Sequence, residues 1–252
     1  MGRVKRLMRP ASGEPLGGPW TVVWLILYGP FSLLIRTRYR HLDRLPPRGT
    51  AAILVVNHVS HVDPFLAAKM VLDGGRTPRF LAKDTIFGVP VVGFAMRGMG
   101  HIPVRRGTAD ARQSLSAAVD ALRSGRIVVL HPEGTVTRDP DGWPMAGKTG
   151  AARLALLVPE VPVIPVAQWG VQRSIDLYTK KVRLLPRPQH VVSIGEPLDL
   201  SRWMGAEPAP AVLREVTDVI MRQLRLDVAE LRGASAPDGP LYRWVRPDEP
   251  AA

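Results

Sequence analysis

Apolar and polar positions change period repeatedly along this chain. Short runs rich in β-branched residues fall at 51–56, 79–82, 101–104, 126–130, 163–167, 182–185 and 190–194, each with the length of a strand. Between them, apolar residues recur every three or four positions and predict helices over 64–72, 86–96, 108–124, 147–157 and 211–231. Strands alternating with helices predict an α/β fold, a mostly parallel sheet covered by helices on both faces. No internal repeat is visible. Residues 186–188 and 207–210 read as loops, and the Pro-rich stretch from 233 to 252 as a disorder-prone tail.

In such sheets ligands bind beyond the carboxyl ends of the strands. Two segments dense in polar groups fall at strand ends. Asn57-His58-Val59-Ser60-His61-Val62-Asp63-Pro64 follows AAILVV, and His131-Pro132-Glu133-Gly134-Thr135 follows RIVVL. The pattern places both on one rim.

Residues 19–35, PWTVVWLILYGPFSLLI, form a different kind of run. As a straight helix it reaches only about 25 Å, short of the length a membrane span requires. Gly29-Pro30 interrupts it. Trp20, Trp24 and Tyr28 recur every four positions, so they share one helical face, and such residues favour the headgroup level of a bilayer. The expectation is an N-terminal membrane-associated helical hairpin dipping into one leaflet, with a core helix as the alternative. The chain thus divides into a basic, apolar membrane-association segment at 1–48, a main domain at 49–232, and the tail at 233–252.

Charge sharpens this picture. The chain carries a formal net charge of +12. Residues 1–48 hold nine Arg or Lys against Glu14 and Asp43, flanking the apolar run. Cations beside an apolar segment suit an anionic bilayer better than a duplex, and no nucleic-acid-binding signature supports the latter. With no cysteine, disulfides, thiolate catalysis and zinc–thiolate sites are excluded.

His58 and Asp63 stand five residues apart across a strand-to-helix turn. A carboxylate on one ring nitrogen fixes the tautomer and leaves the other nitrogen to accept a proton. Asp63 before Pro64 also reads as a helix N-cap. His58, His61 and Asp63 could instead bind a metal, although their spacing is not a standard ligand pattern. Gly142-Trp143-Pro144-Met145-Ala146-Gly147-Lys148-Thr149 matches a phosphate loop letter for letter, yet no strand precedes it, and Trp143-Pro144 puts bulk where amides should cradle phosphate.

Several of these residues carry a family resemblance. Asn57-His58-x-Ser60-x-x-Asp63 resembles the first motif of the glycerolipid acyltransferases, which include the lysophosphatidate acyltransferases. Gly100-His101-Ile102-Pro103-Val104-Arg105-Arg106 is similar to the second motif, Pro132-Glu133-Gly134-Thr135 to the third, and Val161-Pro162-Val163-Ile164-Pro165-Val166 to the fourth. Ala82-Lys83 and Pro90 also fit, and all stand in family order over residues 50–200. One position departs: the arginine that usually follows the third-motif threonine is Val136, with Arg138 two residues on.

The resemblance implies acyl transfer from acyl-CoA or acyl carrier protein to the free glycerol hydroxyl of 1-acylglycerol-3-phosphate, giving phosphatidic acid. No cofactor or metal is implied. His58, oriented by Asp63, would be the general base. Lys83 and Arg106 would hold the acceptor phosphate, and Glu133, Gly134 and Thr135 would shape the acceptor site. The implied partners are a bilayer, a lysophospholipid and an acyl thioester, without nucleic acid, at the cytoplasmic face of the cell membrane as a peripheral or monotopic protein. The alternatives are a related enzyme acting on another lipid acceptor (glycerol 3-phosphate or a glycolipid), a non-catalytic membrane-binding module, or a nucleic-acid binder.

Overall fold

A computed structural model describes residues 22, 33–104, 110–176 and 181–244. Its main sheet has seven strands: β1 (Arg36–Arg40), β2 (Ala52–Val56), β3 (Pro78–Lys83), β4 (Ile102–Val104), β5 (Ile127–Leu130), β6 (Val163–Trp169) and β9 (Gln189–Ile194). Their spatial order is β1-β9-β6-β2-β5-β3-β4. All neighbours are parallel except β6 and β9, which run antiparallel. The short strands β7 (Ile175–Asp176) and β8 (Lys181–Val182) pair separately.

The apolar strand runs are explained by burial on both faces. In β2, Ile53 and Val55 face one core with Val128 and Val163, while Ala52, Leu54 and Val56 face the other with Ile127, Val129 and Val166. The first core is closed by α4 (Asp110–Arg123), α5 (Gly150–Leu157) and the long α6 (Pro210–Arg232). The second is closed by α1 (Asp63–Asp73), through Ala67, Ala68, Met70 and Val71. The α/β fold with a mostly parallel, helix-covered sheet is therefore as expected.

Four expectations differ. The helix expected over 86–96 is two helices, α2 (Asp84–Phe87) and α3 (Pro90–Gly98), because Pro90 starts a new helix after Gly88-Val89. The strand expected at 182–185 pairs only at Lys181–Val182. β1, drawn from the stretch assigned to the membrane segment, is an edge strand of the sheet, so the domain begins before residue 49. Its sequence, RTRYR, alternates exposed and half-buried positions, a pattern its charge disguises. The tail is packed through Trp244: the Ala146 amide donates to the Tyr242 carbonyl at 2.8 Å, and Arg138 lies over the Trp244 ring. The N-terminal hairpin, including Trp20, Trp24 and Tyr28, lies outside the described residues. Among the described residues, no helix is long and apolar enough to cross a membrane.

Candidate active site

β2, β5 and β6 deliver three polar segments to one end of the sheet. At the end of β2, Asn57 is fully buried and clamped to Gln168 of β6. Gln168 N donates to Asn57 Oδ1 at 2.7 Å, Asn57 Nδ2 to the Gln168 carbonyl at 3.1 Å, and Gln168 Nε2 to the Asn57 carbonyl at 2.9 Å. This fixes the backbone just before His58.

The next turn is organised by Asp63. Its Oδ2 accepts the amides of Val59 and Ser60, each at 2.6 Å, and lies 3.1 Å from His58 Nδ1. Ser60 Oγ donates to the Ile175 carbonyl at 3.2 Å. The expected capping role is corrected: Asp63 is inside α1, and its carboxylate turns back onto the preceding loop instead of forward onto the helix amides.

The loop after β5 holds His58 from the other side. Glu133, only 2% exposed, accepts the His58 amide on Oε1 at 2.7 Å and the Met145 amide on Oε2 at 3.1 Å. The Thr137 amide donates to the His58 carbonyl at 2.7 Å. His131 Nδ1 meets the Val56 carbonyl at 3.0 Å, and its ring stacks on that of His58 at 4.3 Å between centroids and 24°. A ring nitrogen facing a carbonyl carries the proton, so in the neutral ring Nε2 is the acceptor.

Burial dominates the electrostatics. The His58 side chain is 13% exposed, and burial lowers its pKa to about 4, so it is neutral at pH 7. Burial lowers His131 to about 3. Burial raises Asp63 to about 7, with the Ser60 and Val59 amides pulling the other way, and raises Glu133 to about 8 against the Met145 and His58 amides. A neutral imidazole with Nδ1 on a carboxylate can take a proton from a hydroxyl at Nε2.

The other expected site residues are more scattered. Gly134, at φ 73°, turns the loop next to Thr135. Lys83 is exposed at the end of β3, in register with Val104 of β4. Arg106, two residues beyond Val104, lies outside the described residues. Val136, where the family has arginine, is buried at 5% exposure. Arg138 is exposed and sits 5.1 Å from the Trp244 ring centre. The phosphate-loop lookalike spends its amides internally, with Trp143 N on Asp139 Oδ1, Met145 N on Glu133 and Lys148 N on the Pro132 carbonyl. Among the described residues, no group of three or more His, Asp or Glu is arranged to hold a metal.

Sequence reasoning missed Gln168, and it placed His131 on the rim without giving it a role. A lone amide inside the apolar strand VIPVAQW was the available signal for Gln168. The stacking of His131 on His58 depends on β2 and β5 being neighbours, which neither loop reveals alone.

Residues 36–169 match the family model described as Acyltransferase. The chain is 33% identical over 138 residues to the chloroplastic 1-acyl-sn-glycerol-3-phosphate acyltransferase BAT2 of Brassica napus, covering 54% of this chain and 38% of that protein. It is 32% identical over 140 residues to the lyso-ornithine lipid O-acyltransferase of Pseudomonas aeruginosa, covering 52% of each. It thus spans between about a third and a half of the length of these relatives. The crystal structure of the 1-acyl-sn-glycerophosphate acyltransferase PlsC from Thermotoga maritima shares the fold, with a TM-score of 0.56 at 22% identity over 90% of this chain and 93% of that one. With the family model spanning more than half its length, this chain belongs to the acyltransferase family.

Proposed function

We propose that this protein moves a fatty acyl group from the thioester of acyl-CoA or acyl carrier protein to the free glycerol hydroxyl of 1-acylglycerol-3-phosphate, giving phosphatidic acid. The observation that carries the reading is the buried His58–Asp63 pair, gripped through Glu133 by a second motif loop. His58 Nε2 takes the hydroxyl proton. The alkoxide attacks the thioester carbonyl, the tetrahedral intermediate collapses, and the expelled thiolate receives the proton from His58. No covalent acyl-enzyme is needed. Lys83 and Arg106 hold the acceptor phosphate, and the bilayer at the cytoplasmic face of the membrane supplies the acceptor.

A second reading, another lipid acceptor without that phosphate, is favoured by one observation: the family's arginine position is the buried Val136. The similarity to a lyso-ornithine lipid acyltransferase points the same way.

Thiol release from acyl-CoA over a panel of lysophosphatidate, glycerol 3-phosphate, glycolipid and lyso-ornithine lipid separates these readings. Lysophosphatidate should give the highest kcat/KM. His58→Ala should lower kcat by about 10²–10⁴ while the protein stays folded. A folded His58→Ala protein retaining more than about a tenth of wild-type kcat contradicts the base assignment. Lys83→Ala should raise the lysophosphatidate KM about tenfold, for a lost charge-assisted hydrogen bond; Arg138→Ala should change it by less than about threefold, as for an exposed charge.

A further inference from the structure

Exposed apolar side chains gather on both flanks of the rim that carries His58. On one flank, α2 and α3 leave β3 at Lys83 and return to β4, which starts level with Leu81, so this excursion stays at the rim. Gly93 sets its orientation. A Cβ there would come within 2.0 Å of the Phe87 carbonyl oxygen, so α3 lies backbone-close on α2, with Ala95 and Met96 packed on the core and the helix's other face left to solvent. Val91 is 81% exposed and Phe94 74%.

The other flank arises from strand polarity. β9 runs antiparallel to β6 and β1 parallel to β9, so the chain enters β1 and β9 at the His58 end. Just before those entries stand Leu33 at 77% and Leu185 at 86% exposure. Five strand spacings separate β1 from β3, so the flanks are about 24 Å apart with His58 between them. Exposed cations are interleaved: Arg36 and Arg183 on one side, Lys83 on the other. The Asp84 carboxylate is turned onto the Thr85 amide.

We propose that this rim is a lipid-docking face, which lays Leu33 and Leu185 on one flank and Val91 and Phe94 on the other against the apolar boundary of an anionic lipid surface. A surface this broad, with apolar groups on two separated flanks and cations among them, fits a planar anionic partner. The purpose of the docking rests on the lipid-acceptor reading above; its geometry does not. Docking sets the mouth of the His58 site at the depth where a lysophospholipid presents its glycerol hydroxyl.

The chain has no cysteine, so single labels are unambiguous. Full-length Phe94→Cys and Leu185→Cys proteins carrying an environment-sensitive fluorophore are titrated with vesicles of phosphatidylcholine and phosphatidylglycerol. Leu157→Cys serves as the control, since Leu157 ends α5 at the opposite end of the sheet. Emission at 94 and 185 should shift to the blue and rise severalfold, and that at 157 should not. Labels at 94 and 185 that keep their aqueous emission while the protein floats with the vesicles overturn the proposal, as does a shift driven by protein concentration without lipid, which would mark a contact with a second copy. Val91→Glu/Phe94→Glu should raise the KM for vesicle-presented acceptor about tenfold or more and leave a monomeric short-chain acceptor within about twofold. Blue-shifted labels with no acyl transfer to any acceptor would sink the acyltransferase reading and leave the docking face standing.

Discussion

Glu133 does its work on backbone. Both its oxygens are occupied by amides, one from His58 and one from Met145. Glu133→Gln keeps one acceptor and points an NH₂ group at the other amide. It should cost about 1–3 kcal/mol of stability, the range for a buried group left unpaired, and lower kcat more than KM by letting His58 shift. Thermal melts beside thiol-release kinetics would test this; unchanged kcat in a destabilised protein would show that the tie supports the fold alone. His131 has a separable effect. Its ring covers one face of His58, and burial is the main cause of the low His58 pKa. His131→Ala should let water in and move the acid limb of the kcat/KM profile up from about pH 4 towards the ordinary histidine value, while His131→Phe, which keeps a flat ring there, should hold it in place. Equal limbs in the two variants would assign the shift to the rest of the pocket.

α2 and α3 meet through a missing side chain. Gly93→Ala must force the two helices apart, since the new Cβ would collide with the Phe87 backbone. Overpacking of this kind costs about 1–3 kcal/mol, and a urea titration should show it as a lower midpoint at unchanged slope. An unchanged midpoint would mean that the pair separates freely. The same elements show what the chain makes readable. β2, β5 and β6 stand out because strands buried on both faces need unbroken apolar runs. His58, Asp63 and Glu133 are legible because each loop carries its own ordered motif. The break between α2 and α3 was written in Gly88-Val89-Pro90 but hidden by apolar residues that keep helical spacing across it. β1 was hidden by its arginines, and the Asn57–Gln168 clamp by the 111 positions that separate its partners.

Buried ionisable groups tie the stability of the whole protein to pH. His58 is lowered to about 4, and His101, His131 and His190 each to about 3, all by burial. Below about pH 6.5 the unfolded chain binds protons that these folded histidines refuse, so stability falls with pH there. Asp63 and Glu133, raised to about 7 and about 8, act oppositely. Their folded forms keep protons that the unfolded chain releases above about pH 4.5, and that contribution fades as pH rises through about 7 to 8. Four histidines outweigh two carboxyls on the acid side. Urea midpoints should therefore peak near about pH 6.5 and drop more steeply towards pH 5 than towards pH 8. A midpoint that stays level between about pH 5 and 6.5 would mean that these histidines are protonated in the folded protein.

The pairing of β1 with β9 also has a consequence in time. Arg36 lies in register with Gln189, about 150 residues later, so the first described strand of the sheet has no partner until the last one has been made. At ~5–20 residues per second that wait lasts about 10–30 s during synthesis. Through that interval β1 is out of the ribosome while the edge it will join does not yet exist. Its first encounters are therefore with whatever surrounds the ribosome, before its own sheet is closed. Stalled nascent chains ending before residue 189 should accordingly leave the β1 amides open to hydrogen exchange, and chains released after residue 194 should protect them.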